Sequence, residues 1–308
     1  MLIIDIHANE SPTLPECVSH ELQHRYGVEC LSVDASSVSS FTSMRIATVL
    51  KEHDVEAILC HRRKDLVGAV DAGKLIGNRR QRPYIIYVPQ TEEALTEKLT
   101  KSTLAAVDAV VVSTESDKSR TNLPAGKIHV IEPSERAAQH NRPSPESERL
   151  TISWIGAIDD AERLDALVNT VHTTAPDAYS VHVFGTGSAR FVMPIVRGAR
   201  YMDGLDITWH GTEYTDEEAF AATDVAVATS RIPTREHIQL LAAGIPVLES
   251  TAADFADKLT AIAADHSRLK QLDNEALNTY DSRFSPAVAA DNWMGLLTTL
   301  RTGTSPSE

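Results

Sequence analysis

The sequence predicts an α/β protein of two Rossmann-like halves, each built on a mainly parallel sheet. Three observations carry that prediction. Short apolar runs recur along the chain, and the stretches between them have helical length. The rhythm breaks once, at a polar, proline-bearing segment, and then restarts. At 308 residues the chain has room for two domains of roughly 150 residues each.

In the first half the apolar runs are LIIDI at 2–6, VECLSV at 28–33, VEAILC at 55–60, YIIYV at 84–88, VDAVVV at 107–112 and KIHVI at 127–131. Helices are expected between them, among them FTSMRIATVLKEH at 41–53 and TEEALTEKLTKSTLAAV at 91–107. The opening run has no basic segment before it and no small-residue cleavage site after it, so it reads as a first strand rather than a secretory signal. The break is EPSERAAQHNRPSPESE at 132–148, where Pro133, Pro143 and Pro145 limit regular structure.

The second half restarts with LTISWI at 150–155 and a helical segment in which Leu164, Leu167, Val168 and Val171 share one face. YSVHVFG, LDITWHG, DVAVATS and IPVLES supply further strands. EEAFAATD begins with glutamates, whose charge suits the exposed amides of a helix start. The expected division is a first domain over 1–135, a linker over 136–149, a second domain over 150–282, a terminal helix over 283–300 and a flexible tail over 301–308.

Composition narrows the function. Twenty-nine basic residues against 43 acidic ones give a formal charge of −14, which disfavours non-specific binding to nucleic acid or anionic membrane. No run approaches the ~20 apolar residues of a membrane span. Cys17, Cys30 and Cys60 have neither metal-ligand spacing nor a disulfide framework, and they read as small buried hydrophobes in a reducing compartment. A cytoplasmic protein with no metal and no separate cofactor is expected. Trp154, Trp209 and Trp293 sit in apolar contexts and are expected in cores. Phosphate-loop, zinc-protease and serine-nucleophile motifs are absent from the sequence.

Residues 150–250 resemble the nucleotide-sugar-binding domain of retaining GT-B-type glycosyltransferases (glycosyl transferases group 1). ISWIGAIDDAERLDALV, YSVHVFGTG, LDITWHGTEYTDEEAFAATDVAVATS and REHIQLLAAGIPVLES carry that family's elements in its order. More loosely, AILCHRRKDLVGAVDAGKL and VDAVVVSTESDKSRTNLPAGKIHVIEP resemble its acceptor-side domain. RFSPAVAADNWMGLLTTL at 283–300 resembles its terminal helix, which packs back towards the first domain. The resemblance implies two Rossmann-like domains facing a central cleft. It also implies a nucleotide-sugar donor, a glycan or small-molecule acceptor, and transfer with retention of configuration.

Carried over residue by residue, the donor candidates are Gly185 and Gly187 of FGTG, where a tight turn can approach a nucleotide, with Ser230, Arg231, Arg235 and Glu236 on the late loop. The family's diphosphate-binding Arg and Lys positions hold Ala157 and Glu162 here, and nearby Arg163 is expected to face solvent on its helix. The family's two late glutamates align with Arg231 and Gln239, and Pro89 stands where the family has a histidine. Arg231 and Arg235 are therefore the candidate replacements for the missing cations. His7 and His61, each after a strand, are the candidate catalytic groups, since either can hydrogen-bond or exchange a proton near neutral pH. The basic run Arg62, Arg63 and Lys64 is the candidate acceptor or anion site. The alternative function is a catalytically degenerate scaffold of the same fold, binding glycan or nucleotide and regulating a partner transferase.

Overall fold

A computed structural model describes residues 1–7, 14–34, 39–76, 82–89, 95–96, 98–121, 123–137, 149–158, 161–230 and 233–303. The chain divides into two compact units, one of Met1–Ser134 with Pro286–Glu308 and the other of Glu135–Ser285. Most of the expected linker, 138–148, and the end of the expected tail, 304–308, lie outside the described residues.

The first unit is a six-stranded sheet in the order β2-β1-β3-β4-β5-β6, parallel throughout. Its strands are β1 (Leu2–His7), β2 (Glu29–Asp34), β3 (Val55–Cys60), β4 (Tyr84–Tyr87), β5 (Ala109–Val112) and β6 (Ile128–Val130). Side chains alternate between faces along a strand. Ile4, Ile6, Ile58 and Tyr87 accordingly meet α2 (Ser39–Glu52) and α3 (Arg63–Ile76) through Ile46, Leu50 and Leu66. Ile3, Leu59, Ile86 and Val111 form the opposite core with α1 (Glu16–Tyr26). That second face explains why the strands read as continuous apolar runs rather than as an alternation.

Helix α1 ends at Gly27, whose φ of 65° lets Gly27 N–H reach the Gln23 carbonyl at 3.0 Å while Val28 N–H reaches Leu22 at 3.2 Å. Of the helix expected over 91–107, residues 95–96 are helical, and α4 (Lys101–Ala106) begins after Thr100. The Thr100 hydroxyl accepts from Thr103 N–H at 3.2 Å, which sets the start of α4. A short α5 (Glu115–Arg120) precedes β6.

The second unit is a five-stranded parallel sheet in the order β11-β10-β7-β8-β9. Its strands are β7 (Leu150–Ile155), β8 (Tyr179–Phe184), β9 (Asp206–Gly211), β10 (Val225–Val227) and β11 (Val247–Leu248). Leu164, Leu167, Val168 and Val171 of α6 (Ala161–Thr174) are all essentially inaccessible, as their spacing predicts, and pack on Ile152, Trp154 and Val181. The same face takes α7 (Ala189–Ala199) through Ile195 and α10 (Phe255–Ala264) through Leu259. The other face is covered over its carboxyl half, where Phe220 of α8 (Asp216–Ala221) and Leu240 of α9 (Arg235–Ala242) meet Ile155 and Phe184.

After α11 (Ser267–Thr279) and a π-helical turn at Tyr280–Phe284, the last helix α12 (Pro286–Thr302) joins the first unit. Pro286 opens it, a position where the missing amide costs no hydrogen bond. Ala289, Ala290, Trp293, Leu296 and Leu297 of α12 complete the core that α1 begins. Arg25 adds an ion pair to Asp291 at 2.7 Å and a bond to the Ala287 carbonyl at 3.0 Å. Trp293 is 6% exposed, so Trp293→Ala is expected to lower the stability of the first unit by about 3–5 kcal/mol, read from urea denaturation.

Candidate functional sites at the two strand-order switches

Ligand sites in open parallel sheets form beyond the carboxyl ends of the strands, where the strand order reverses direction. In the first unit that point lies between β1 and β3, and in the second between β7 and β10.

At the first switch, Ile6 pairs in register with Cys60, so His7 and His61 follow at neighbouring strand ends. The His7 side chain lies outside what the structure describes. His61 is buried. Its Nε2 lies 2.6 Å from Asp5 Oδ1 and its Nδ1 lies 3.2 Å from the Val88 carbonyl oxygen. Asp5, also buried, accepts from Leu14 N–H at 3.2 Å on its other oxygen. Both ring nitrogens thus face acceptors inside the protein, which makes His61 a brace between β1, β3 and the end of β4 rather than a group aimed at solvent. Burial pushes the neighbouring Cys60 thiol well above its usual range, with Asp65 and Asp5 adding to the effect.

The basic run divides in use. Arg62 holds Asp65 by two bonds of 2.8 Å, and Asp65 also accepts from Arg62 N–H at 3.2 Å, securing the start of α3. Arg63 and Lys64 are exposed on the first turn of that helix.

Beside the second switch, the loops that follow β7 and β8 are zipped together by their backbones. Gly156 N–H donates to Phe184 O and Ile158 N–H to Thr186 O, each at 2.9 Å, and Ile158 forms a parallel bridge with Gly187. A Cβ on Gly185 would lie 1.9 Å from Gly156 O, and one on Gly187 would lie 2.0 Å from Ile158 O. The glycines of FGTG are therefore required by the neighbouring loop of the same protein. The sequence predicts the tight turn but not the neighbouring loop that demands it.

The late loop is anchored by His237. Its Nε2 lies 2.9 Å from Thr229 N and accepts that N–H, and the Thr229 hydroxyl is 3.0 Å away. Nδ1 lies 3.4 Å from Thr234 N, a longer contact that the acceptor role of Nε2 makes secondary in a neutral ring. Burial foremost pushes the His237 imidazole down to about 4, with Arg163 adding to the effect and Glu236 and Glu249 opposing it. Thr234 caps α9, Arg235 is exposed on its first turn, and Glu236 is half-buried beside it. Ser230 is partly buried, whereas Arg231 lies outside the described residues.

Arg163 corrects the expectation of a solvent-facing residue. It is 5% exposed, and its Nη1 bonds both carboxylate oxygens of Glu249 at the end of β11. Burial alone would raise the Glu249 pKa, but hydrogen bonds from Arg163 and Thr251 outweigh it and hold the carboxylate below its ordinary value. Ser250 closes the arrangement by donating to Arg163 O at 2.8 Å. A cavity of about 400 Å³ adjoins this loop, with Ser230, His237, Glu249, Leu241, Leu272 and Phe284 in its wall.

Asp5, His237 and Glu249 were absent from the sequence-based site. Asp5 left one signal, a lone carboxylate in an apolar strand, and His237 left another, three residues after a capping threonine. Among the described residues, no group of three or more His, Cys, Asp or Glu side chains is arranged to hold a metal ion, and no helix is long and apolar enough to cross a membrane.

Two Rossmann-like units on parallel sheets, with the last helix returned to the first unit, define the GT-B fold. Solved structures of that fold resemble the chain over nearly its whole length. The apo form of the lipopolysaccharide outer core galactosyltransferase WaaB has a TM-score of 0.63 at 12% identity, covering 97% of this chain and 99% of that one. AviGT4, a glycosyltransferase involved in avilamycin A biosynthesis, has a TM-score of 0.61 at 11% identity, covering 99% of both chains. MnaA of S. aureus, solved with UDP, has a TM-score of 0.53 at 11% identity, covering 100% of this chain and 99% of that one. At these identities the likeness is one of fold. No protein-family model matches the chain, and no curated protein matches it.

Two expected outcomes test this geometry. Gly185→Ala should cost about 1–3 kcal/mol, because the methyl group must displace the Gly156 backbone; urea midpoints measure it. His237 is neutral in the fold at pH values where the unfolded chain already takes up a proton. Stability is therefore full above pH 6.5 and lost as pH falls towards 4. A loss of roughly 2–3 kcal/mol by pH 4.5 is expected from this group, and a shallower pH profile in His237→Gln.

Proposed function

We propose that the protein is a glycosyltransferase that moves a sugar from a nucleotide-sugar donor to a glycan or small-molecule acceptor, with retention of configuration. The observation that carries this reading is the near full-length likeness in fold to WaaB and AviGT4, both named as transferases. The order of sequence elements over residues 150–250 supports the retaining class.

The donor binds at the second switch, with its nucleotide beside the 185–187 turn and its diphosphate towards the late loop. Arg163 is neutralised by Glu249, so the positive charge comes from the exposed Arg235 and from Arg231, aided by the amides that open α9. Ser230 and Glu236 supply hydrogen bonds to ribose or sugar hydroxyls. The acceptor binds on the first unit, where Arg63 and Lys64 attract an anionic group. His61, fixed by Asp5, positions the strand ends, and His7 is the candidate for direct contact. Donor chemistry here needs no metal, because the developing diphosphate charge falls on cationic side chains and helix amides. The three thiols outside any disulfide fit a cytoplasmic setting.

Calorimetric titration with UDP, GDP, ADP and their glucose conjugates tests the reading. One nucleotide family is expected to bind, and Arg235→Ala is expected to weaken it about tenfold, the size of one charge-assisted hydrogen bond. Indifference to every nucleotide at millimolar concentration would reject the donor site.

A further inference from the structure

Beside the helices that cover the second face of the second sheet lies an arrangement that neither the donor nor the acceptor reading uses. On β8 and β9 the side chains opposite the main core are Ser180, His182, Asp206, Thr208 and His210. The β8–β9 register runs His182 with Thr208 and Val183 with Trp209, then jumps to Phe184 with Gly211. His210 is the residue left over at that jump. The jump leaves His210 without a partner across the ladder while its side chain keeps the face of Asp206 and Thr208. Gly211, with a φ of 66°, returns the chain to its course.

On that face His210 meets Phe184, and the two rings stack at 4.1 Å and within 8° of parallel. The Tyr214 ring meets the edge of Phe184 at 5.3 Å. This aromatic support holds His210 Nε2 3.3 Å from His182 Nδ1. Two imidazole nitrogens bound to one tetrahedral zinc at the usual length of about 2.0–2.1 Å stand about 3.3–3.4 Å apart.

We propose that His182 and His210 form a two-histidine binding site for a divalent transition cation of the zinc or nickel class. The proposal is independent of the donor-site reading. Without metal, one ring donates its hydrogen to the other. On binding, that hydrogen moves to the far nitrogen of its own ring, both facing lone pairs go to the cation, and water fills the remaining positions. The Phe184 stack supplies preorganisation, which lets two ligands suffice for a measurable site. The sequence hides the pair, because 28 residues separate two histidines that only the strand pairing unites.

Zinc chloride titrated into the intact protein at pH 7.5, in a non-coordinating buffer, is expected to show a one-to-one site by calorimetry. His182→Gln and His210→Gln should each weaken it by at least about tenfold, since loss of a direct ligand costs no less than loss of a supporting one. Removing the other close pair, His20 and His24 on α1, should leave the site unchanged. Anomalous scattering from nickel-soaked crystals of the unsubstituted protein should place the ion between the two rings, which decides the matter even where a variant folds poorly. Absence of binding, binding unaltered by both substitutions, or an anomalous peak at other histidines would overturn the proposal.

Discussion

A parallel sheet has two faces, and helices must cover both before its strands can be apolar along their whole length. That requirement shapes this chain more than any single contact. In the first unit α2 and α3 cover one face, but α1 fills only part of the other, and the chain's last helix completes it. Trp293 and Leu297 thus belong to the same core as Ile3 and Leu22, although nearly the whole sequence separates them. Because the last helix is needed there, the second unit is an insertion between strands and helix of the first. Folding of the first unit must then bring together its two ends, a connection of high sequence separation.

The same layering pushes polar chemistry to the strand ends. Inside either sheet an unpaired polar group would be costly, and three sets of buried polar side chains satisfy one another near the strand ends. Asp5 and His61 bind each other, Leu14 N–H and Val88 O. Thr229 and His237 bind each other across the turn into α9. Arg163, Glu249, Thr251 and Ser250 close a third set. The third joins α6 to the end of β11, which the sheet alone leaves unconnected. Removing one member of a buried charged set strands the other, a loss of about 3–5 kcal/mol in comparable cases. Such sets fix geometry first, and any binding role is built on that rigidity.

The sheets were legible in the sequence because parallel strands buried on both faces leave short apolar runs, and the α6 stripe was legible because its period is local. Partners at long range left no comparable trace. His61 lies 56 residues from Asp5, and Arg163 lies 86 from Glu249, so neither spacing announces a pair. For Arg163 the helical period suggested an outward direction, and a carboxylate at the end of β11 overrode it. FGTG advertised a tight turn, yet the crowding that demands glycine comes from Ile158 and Gly156. A Gly-x-Gly pattern signals close approach of a backbone without saying whose. Pro286, rather than the preceding apolar residues, sets the start of the terminal helix, three residues beyond the expected boundary.

Charge gives the last constraint on how an anionic ligand would be held. Glu249 already cancels Arg163, and Ala157 and Glu162 provide no replacement at the start of α6. Among the described residues, a phosphate at the second switch would therefore meet no surplus buried positive charge, in a chain that is negative overall. Two sources of attraction remain: the amides opening α9 and side chains on the loop that precedes it. Thr234 takes up the His237 amide, while Arg235 stands exposed at the same helix start. Attraction of this kind is weaker and more easily screened than that of a buried arginine. His237 holds both Thr229 and Thr234, so the two ends of that loop are tied to the start of α9. The buried histidine thus fixes the helix start at which Arg235 stands.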